Sequence, residues 1–144
     1  MLVSDLIKRK GSAVASAPPE TTVAALLDLL AEHRIGAVVV SAHGGVDGIV
    51  SERDVVRALR TQGPGLLDEP ISTVMTADVV VTAPGGTVED MMRLMTERRI
   101  RHVPVVTEDG QLAGIISIGD VVKSRIDELE ADRDQLIGYI HSSR

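Results

Sequence analysis

The sequence contains no cysteine, no tryptophan and no phenylalanine, and its one aromatic ring is Tyr139. Without cysteine there are no disulfides, no thiolate nucleophiles and no cysteine-ligated metals, and a reducing, cytoplasmic setting is expected. A single aromatic ring makes a poor stacking platform and disfavours single-stranded nucleic-acid binding. The formal net charge of −6 further disfavours a nucleic-acid partner or an anionic membrane surface. No apolar run approaches the roughly 18 residues that mark a membrane span. The opening MLVSDLIKRK has no apolar stretch after its charges, so it does not read as a secretion signal. No glycine-rich phosphate loop is present, and His33, His43, His102 and His141 form neither an HxH nor an HxxxH pattern. No metal site and no catalytic residue is therefore expected. His102 beside Ser51 or Asp54 would be the start of a hydrolytic set, but a lone histidine more often serves a ligand or the surface.

What is present is an ordinary globular composition over 144 residues, 44% hydrophobic and 25% charged, with a core of Val, Ile, Leu, Ala and Met. That composition is written twice. TVAALLDLLAEHRIGAVVV from Thr22 aligns with TVEDMMRLMTERRIRHVPV from Thr87, an offset of 65 residues. One extra residue in the following turn brings GIVSERDVV (Gly48–Val56) onto GIISIGDVV (Gly114–Val122). Upstream, AVASA aligns with VVVTA and Pro19 with Pro84. In each copy an i, i+3, i+4, i+7 stripe predicts a helix, Val23, Leu26, Leu27 and Leu30 in one and Val88, Met91, Met92 and Met95 in the other. Short β-branched runs, Ala37–Ser41 and His102–Thr107, lead through Gly- and Asp-rich turns to second strands at Gly48–Val50 and Gly114–Ile116. Second helices begin near Ser51 and Ser117.

The expected fold class is α/β: two β-α-β-β-α units packed sheet to sheet about a pseudo-twofold axis. The first unit is expected over residues 1–62, a linker over 63–73, the second unit over 74–126 and a helical tail over 127–144. A unit of about sixty residues is marginal alone, and pairing two of them creates two related clefts.

Ser51 and Asp54, like Ser117 and Asp120, are three apart at the start of a helix. They fit a capping box, in which the serine accepts from the N3 amide and the acid bonds back. The same groups suit a ligand: a carboxylate can accept both hydroxyls of a ribose diol, and a serine with free helix amides can hold phosphate. Arg53, beside Asp54, could add charge for a phosphate. A basic island, ERRIRH, holds Arg101 and His102 at the entrance to a strand, where the first repeat has Gly36 and Ala37. The two clefts are thus expected to differ in charge, with the KRK at Lys8–Lys10 adding to the second or simply solvated.

The doubled unit, with HRIGAVVV and RRIRHVPVV and the paired GIVSERDVV and GIISIGDVV endings, resembles tandem CBS domains, the pair known as a Bateman module, over roughly Val3 to Ile126. The resemblance implies a regulatory sensor of adenine nucleotides and not an enzyme. AMP is the first expectation, with ADP, ATP, NAD and S-adenosylmethionine as the alternatives, and no cofactor is required. It also implies a homodimer acting on a regulated partner protein. The resemblance puts one ligand among Ile115, Ser117, Asp120, Lys10, Ala15, Ile35, Gly36 and Ala37. The other lies among Ile49, Ser51, Asp54, Val80, Ile100, Arg101 and His102. The competing expectation is a dimerisation and interaction module in which Ser and Asp are caps alone. Beyond the repeats, Leu129, Leu136, Ile137 and Ile140 are spaced as one helical face that packs on its own module or meets a partner.

Overall fold

The computed structural model describes residues 1–11 and 16–142. After helix α1 (Val3–Lys10), the first repeat runs β1 (Ser16–Ala17), α2 (Val23–His33), β2 (Ala37–Val40), β3 (Gly48–Ser51) and α3 (Glu52–Gln62). The second contains α4 (Val88–Arg98), β4 (His102–Val106), β5 (Leu112–Ser117) and α5 (Ile118–Ser142). Two 3-10 segments, Gly63–Asp68 and Ile71–Thr73, lie between them.

The duplicated sequence makes duplicated ends. Thr22 and Thr87 cap α2 and α4, accepting from Ala25 N at 3.2 Å and Asp90 N at 3.1 Å. Both helices then close on a left-handed arginine, Arg34 and Arg99, each with φ 53°. Ile35 N and Ile100 N reach back to Leu30 O and Met95 O, both at 3.1 Å, satisfying carbonyls the helix leaves open.

In the first sheet, β1 runs parallel to β2, and β2 antiparallel to β3, with Ala37 opposite Ser51 and Val40 opposite Gly48. The second sheet pairs β4 with β5, with His102 opposite Ser117. The first strand of the second β-α-β-β-α unit is reduced to one parallel bridge, Thr82 to Val105. Along β2, Val38 and Val40 enter the helix-side core with Leu26, Leu30 and Val50. Val39 faces the other way, as alternation requires, and is equally buried. Pro104 does the same between Val103 and Val105. Each sheet is therefore covered on both faces, by helices on one side and by the opposite repeat on the other. The seam is visible in Leu112 N donating to Gly44 O at 2.9 Å and in the bridge between Ile49 and Thr76.

The segments that precede each repeat are exchanged. Val3 and Leu6 of α1 lie in the core of the second repeat with Met91, Met95 and Ile116. Leu66 and Ile71, from the stretch between repeats, complete the first core. Both are fully buried, and burying a side chain of that size contributes roughly 1.5–3 kcal/mol. Leu2 bridges to Thr87 and Pro70 to Thr22, so the exchange obeys the internal symmetry. Of the two expected stripes, Val23, Leu26 and Leu30 and their counterparts Val88, Met91 and Met95 are buried, while Leu27 is 36% exposed. It sits at the edge of the apolar stripe.

α5 runs without a break from the second repeat into the tail. Leu129, Leu136 and Ile137 are 45–62% exposed, so this face does not pack on its own module. Among the described residues, no helix is long and apolar enough to cross a membrane.

Candidate functional site

Where β3 turns into α3, Ser51 is the N-cap of the helix. Its Oγ accepts from Asp54 N at 3.4 Å, while Asp54 Oδ2 accepts from Ser51 N at 2.8 Å and from Ser51 Oγ at 3.0 Å. Ser117 and Asp120 repeat the box at α5, with Asp120 N donating to Ser117 Oγ at 3.1 Å and Ser117 N to Asp120 Oδ2 at 2.8 Å. The capping reading of both pairs is realised, with aspartate in the N3 role. Both inner bonds of Asp54 land on Oδ2, so Oδ1 is the oxygen an incoming hydroxyl would meet.

That carboxylate stands in a cleft of about 320 Å³ between the repeats. The first repeat lines it with Ile49, Ser51, Arg53 and Asp54, the second with Val80, Ile100, Arg101 and His102. The structure thus gathers the whole set expected around Asp54. Gly36 and Ala37, expected around Asp120, line the Asp54 cleft instead, because β2 begins beside His102. The imidazole lies 3.6 Å from where a Cβ on Gly36 would stand. Glu52, Arg57, Thr76, Asp78, Val79 and Arg99 complete the lining and were missed. Arg57 carried a signal: it follows Asp54 by three residues on one helix and shares its face. Thr76 and Asp78 carried none, since the Ile49–Thr76 bridge that places them is tertiary.

Four arginines and three carboxylates line this cleft, and its walls also include Ile49, Val79, Val80, Ala37 and Ile100. Apolar walls with a few convergent charges suit a small polar ligand with a flat apolar portion. Burial holds His102 below its ordinary pKa, helped by the Lys10 and Arg101 charges against the opposing pull of Asp120 and Glu52. His102 is therefore neutral at neutral pH, able to donate or accept one hydrogen bond without adding charge.

The second set is arranged differently. Lys10 Nζ donates to Asp120 Oδ2 at 2.7 Å and to Ile115 O at 2.8 Å, so Lys10 is not simply solvated. Burial raises the Asp120 pKa, but the hydrogen bond from Lys10, those from Ser117 and the Lys10 charge outweigh it and hold the carboxyl below its usual range. Ile35 is partly buried and packs against the first core. Ala15 lies outside the described residues. No group of three or more His, Asp or Glu able to hold a metal occurs among the described residues.

The doubled fold now meets its relatives. The family model for the CBS domain matches residues 3–61 and again residues 71–127. This chain belongs to the CBS domain family. The CBS domain-containing protein CBSX3, mitochondrial, of Arabidopsis thaliana is 32% identical over 147 residues, covering 96% of this chain and 71% of that one. The crystal structure of the CBS-domain containing protein ATU1752 from Agrobacterium tumefaciens superposes with a TM-score of 0.82 at 46% identity, covering 87% of this chain and 99% of that one. The CBS domain protein PAE2072 from Pyrobaculum aerophilum, solved in complex with AMP, is 28% identical with a TM-score of 0.75, over 83% of this chain and 89% of its own. Two CBS repeats packed as a pair is thus the architecture, and the mixed α/β fold is that of CBS-pair proteins.

Proposed function

We propose that this CBS pair is a regulatory module that binds an adenine nucleotide in the Asp54 cleft and carries out no chemistry on it. The observation that carries the reading is the convergence of Ser51 and Asp54 from one repeat with Val80, Arg101 and His102 from the other around one cleft of about 320 Å³. The ribose diol meets the Asp54 carboxylate. Adenine lies against Ile49, Val80 and Ala37. Phosphates lie toward Arg53, Arg57 and Arg101. AMP is the first candidate, supported by the AMP-bound relative. ADP, ATP, NAD and S-adenosylmethionine are the others. The four arginines favour the more phosphorylated members of that set. Calorimetric titration with AMP and ATP tests this. Arg101→Gln lowers ATP affinity more than AMP affinity, and equal loss for both contradicts the phosphate assignment.

The module acts as a homodimer on a partner protein. Support comes from α5, where Val122, Ile126 and Leu129 are 49–50% exposed on a helix of 25 residues. A second reading, an interaction module without ligand, draws on the same helix and on the formed capping boxes. It predicts that no nucleotide stabilises the protein and that partner capture is indifferent to nucleotide.

A further inference from the structure

The two sides of α5 differ. Val121 and Ser124 are buried against the module, while Val122, Ile126 and Leu129 are half-exposed and Leu136 is 62% exposed. Val122 and Ile126 each stand two residues from Ser124, a turn of about 200° that carries them to the outer side of the helix. Outer positions recur at alternating intervals of three and four: Gly119, Val122, Ile126, Leu129, Arg133 and Leu136. That is the a/d spacing of a coiled-coil seam. The match to the CBS family ends at residue 127, yet the helix runs on to Ser142, and from Leu129 onward every described residue is exposed. The seam outruns the module, so only a second helix can cover its length.

A second copy of α5 fits this seam in one direction and one register. Laid parallel, the two helices would set Gly119 against Gly119, leaving a void, and Arg133 against Arg133, two like charges in the seam. Laid antiparallel about a point between Asp127 and Glu128, they set Leu136 over Gly119, Arg133 over Val122 and Leu129 over Ile126. Leu136 then meets the residue with no side chain, where an added Cβ would find only Ser117 Oγ, at 3.6 Å. The flanks agree in charge. Lys123 comes level with the partner's Glu130 and Arg125 with the partner's Asp132, each within about 3 Å along the axis. Sliding one heptad either way brings Glu130 and Asp132, or Lys123 and Arg125, against their own copies. Within one chain Arg125 pairs with Glu128 at 3.2 Å and Arg133 with Asp134 at 3.3 Å, surface pairs that contribute little and that a partner's carboxylate can share. We propose that the tail of α5 clasps the start of α5 in a second copy, as an antiparallel two-helix coil in this register. The proposal deepens the homodimer reading above and rests on it.

The chain has no cysteine, so introduced thiols report cleanly. Val122→Cys and Arg133→Cys chains, mixed and oxidised, are expected to join through an interchain disulfide. Neither is expected to cross-link alone, because in this register the two copies of residue 122, or of residue 133, stand about 16 Å apart, beyond disulfide reach. Charge exchange is the second readout, at four exposed positions where folding is retained. Glu130→Lys with Asp132→Lys in one chain, and Lys123→Glu with Arg125→Glu in another, should each weaken self-association by roughly tenfold or more in sedimentation, since attractive pairs become repulsive. Mixing the two variants should restore the dimer. Cross-linking of Val122→Cys with itself, or a dimer that neither the mixed thiols nor the charge changes affect, overturns the proposal while the homodimer reading stands. A parent chain that sediments as a single chain overturns both.

Discussion

Replacing Asp54 by alanine separates a ligand carboxylate from a helix cap. Asp54 does two jobs in the account, bonding to Ser51 N at 2.8 Å and facing the cleft. Losing the cap should cost about 1 kcal/mol, which lowers the melting temperature of the ligand-free chain by about 4 °C. Losing the ligand contact is larger. Two charge-assisted bonds from a diol contribute at least about 1.5 kcal/mol each, so AMP affinity should fall by about 3 kcal/mol. At 1.4 kcal/mol per decade that is a loss of roughly 100-fold in Kd. Asp54→Asn keeps the shape and a neutral acceptor and should lose roughly tenfold, about half as much in free energy. Isothermal titration with AMP, run beside ligand-free thermal unfolding, reads both quantities. A melting temperature that falls as expected while Kd stays within about threefold would refute the reasoning and leave Asp54 a cap.

Ser51→Ala and Ser117→Ala should each destabilise the ligand-free protein by about 1 kcal/mol, measured by urea denaturation, because both boxes are formed. Gly48→Ala should cost about 1–3 kcal/mol, since its Cβ would stand 2.5 Å from Met75 Sδ and 3.0 Å from Thr76 O, and trimming Met75 to alanine should recover part of the loss. His102 has a folded pKa below its unfolded value, so the native state binds fewer protons. Its contribution is complete above pH of about 6.5 and is lost as pH falls below that value toward the folded pKa, a slope that His102→Asn should flatten in denaturation between pH 8 and 5. Asp120 has the opposite sign of charge and a lower window: its stabilisation holds above about pH 4, falls away with further acidification, and is reduced in Lys10→Met. Leu129→Glu on the exposed face of α5 should convert a dimer to a single-chain mass in light scattering, and an unchanged mass would remove this face from the interface.

Local signals carried most of the fold. The two helical stripes and the Ser-x-x-Asp boxes depend on neighbours a few residues away, and each formed where the sequence placed it. The Asp54 cleft was legible for the same reason in duplicate: Arg101 and His102 stand where the first repeat has Gly36 and Ala37, and that mismatch marked the charged wall. What was not legible depends on contacts without sequence proximity. The meeting of Lys10 with Ile115 and Asp120, more than 100 residues apart, was anticipated only through the family resemblance, since no local signal links them. α1 precedes the first repeat yet buries Val3 and Leu6 in the second, because each core lacks a cover that only the other segment can supply. The first strand of the second unit has β-branched composition in VVVTA, but its pairing is limited to Thr82 with Val105, and strand propensity cannot say how much backbone will find a partner.

Binding of an adenine nucleotide between the repeats is the function proposed for this chain. Thermal unfolding of the intact protein with and without AMP tests it most directly. AMP at 100 times its Kd should add about 2.7 kcal/mol, a rise of several degrees that grows with concentration and disappears in Asp54→Ala. A melting temperature that does not move with AMP, ADP, ATP, NAD or S-adenosylmethionine would contradict the claim and return both Ser-x-x-Asp pairs to helix capping alone.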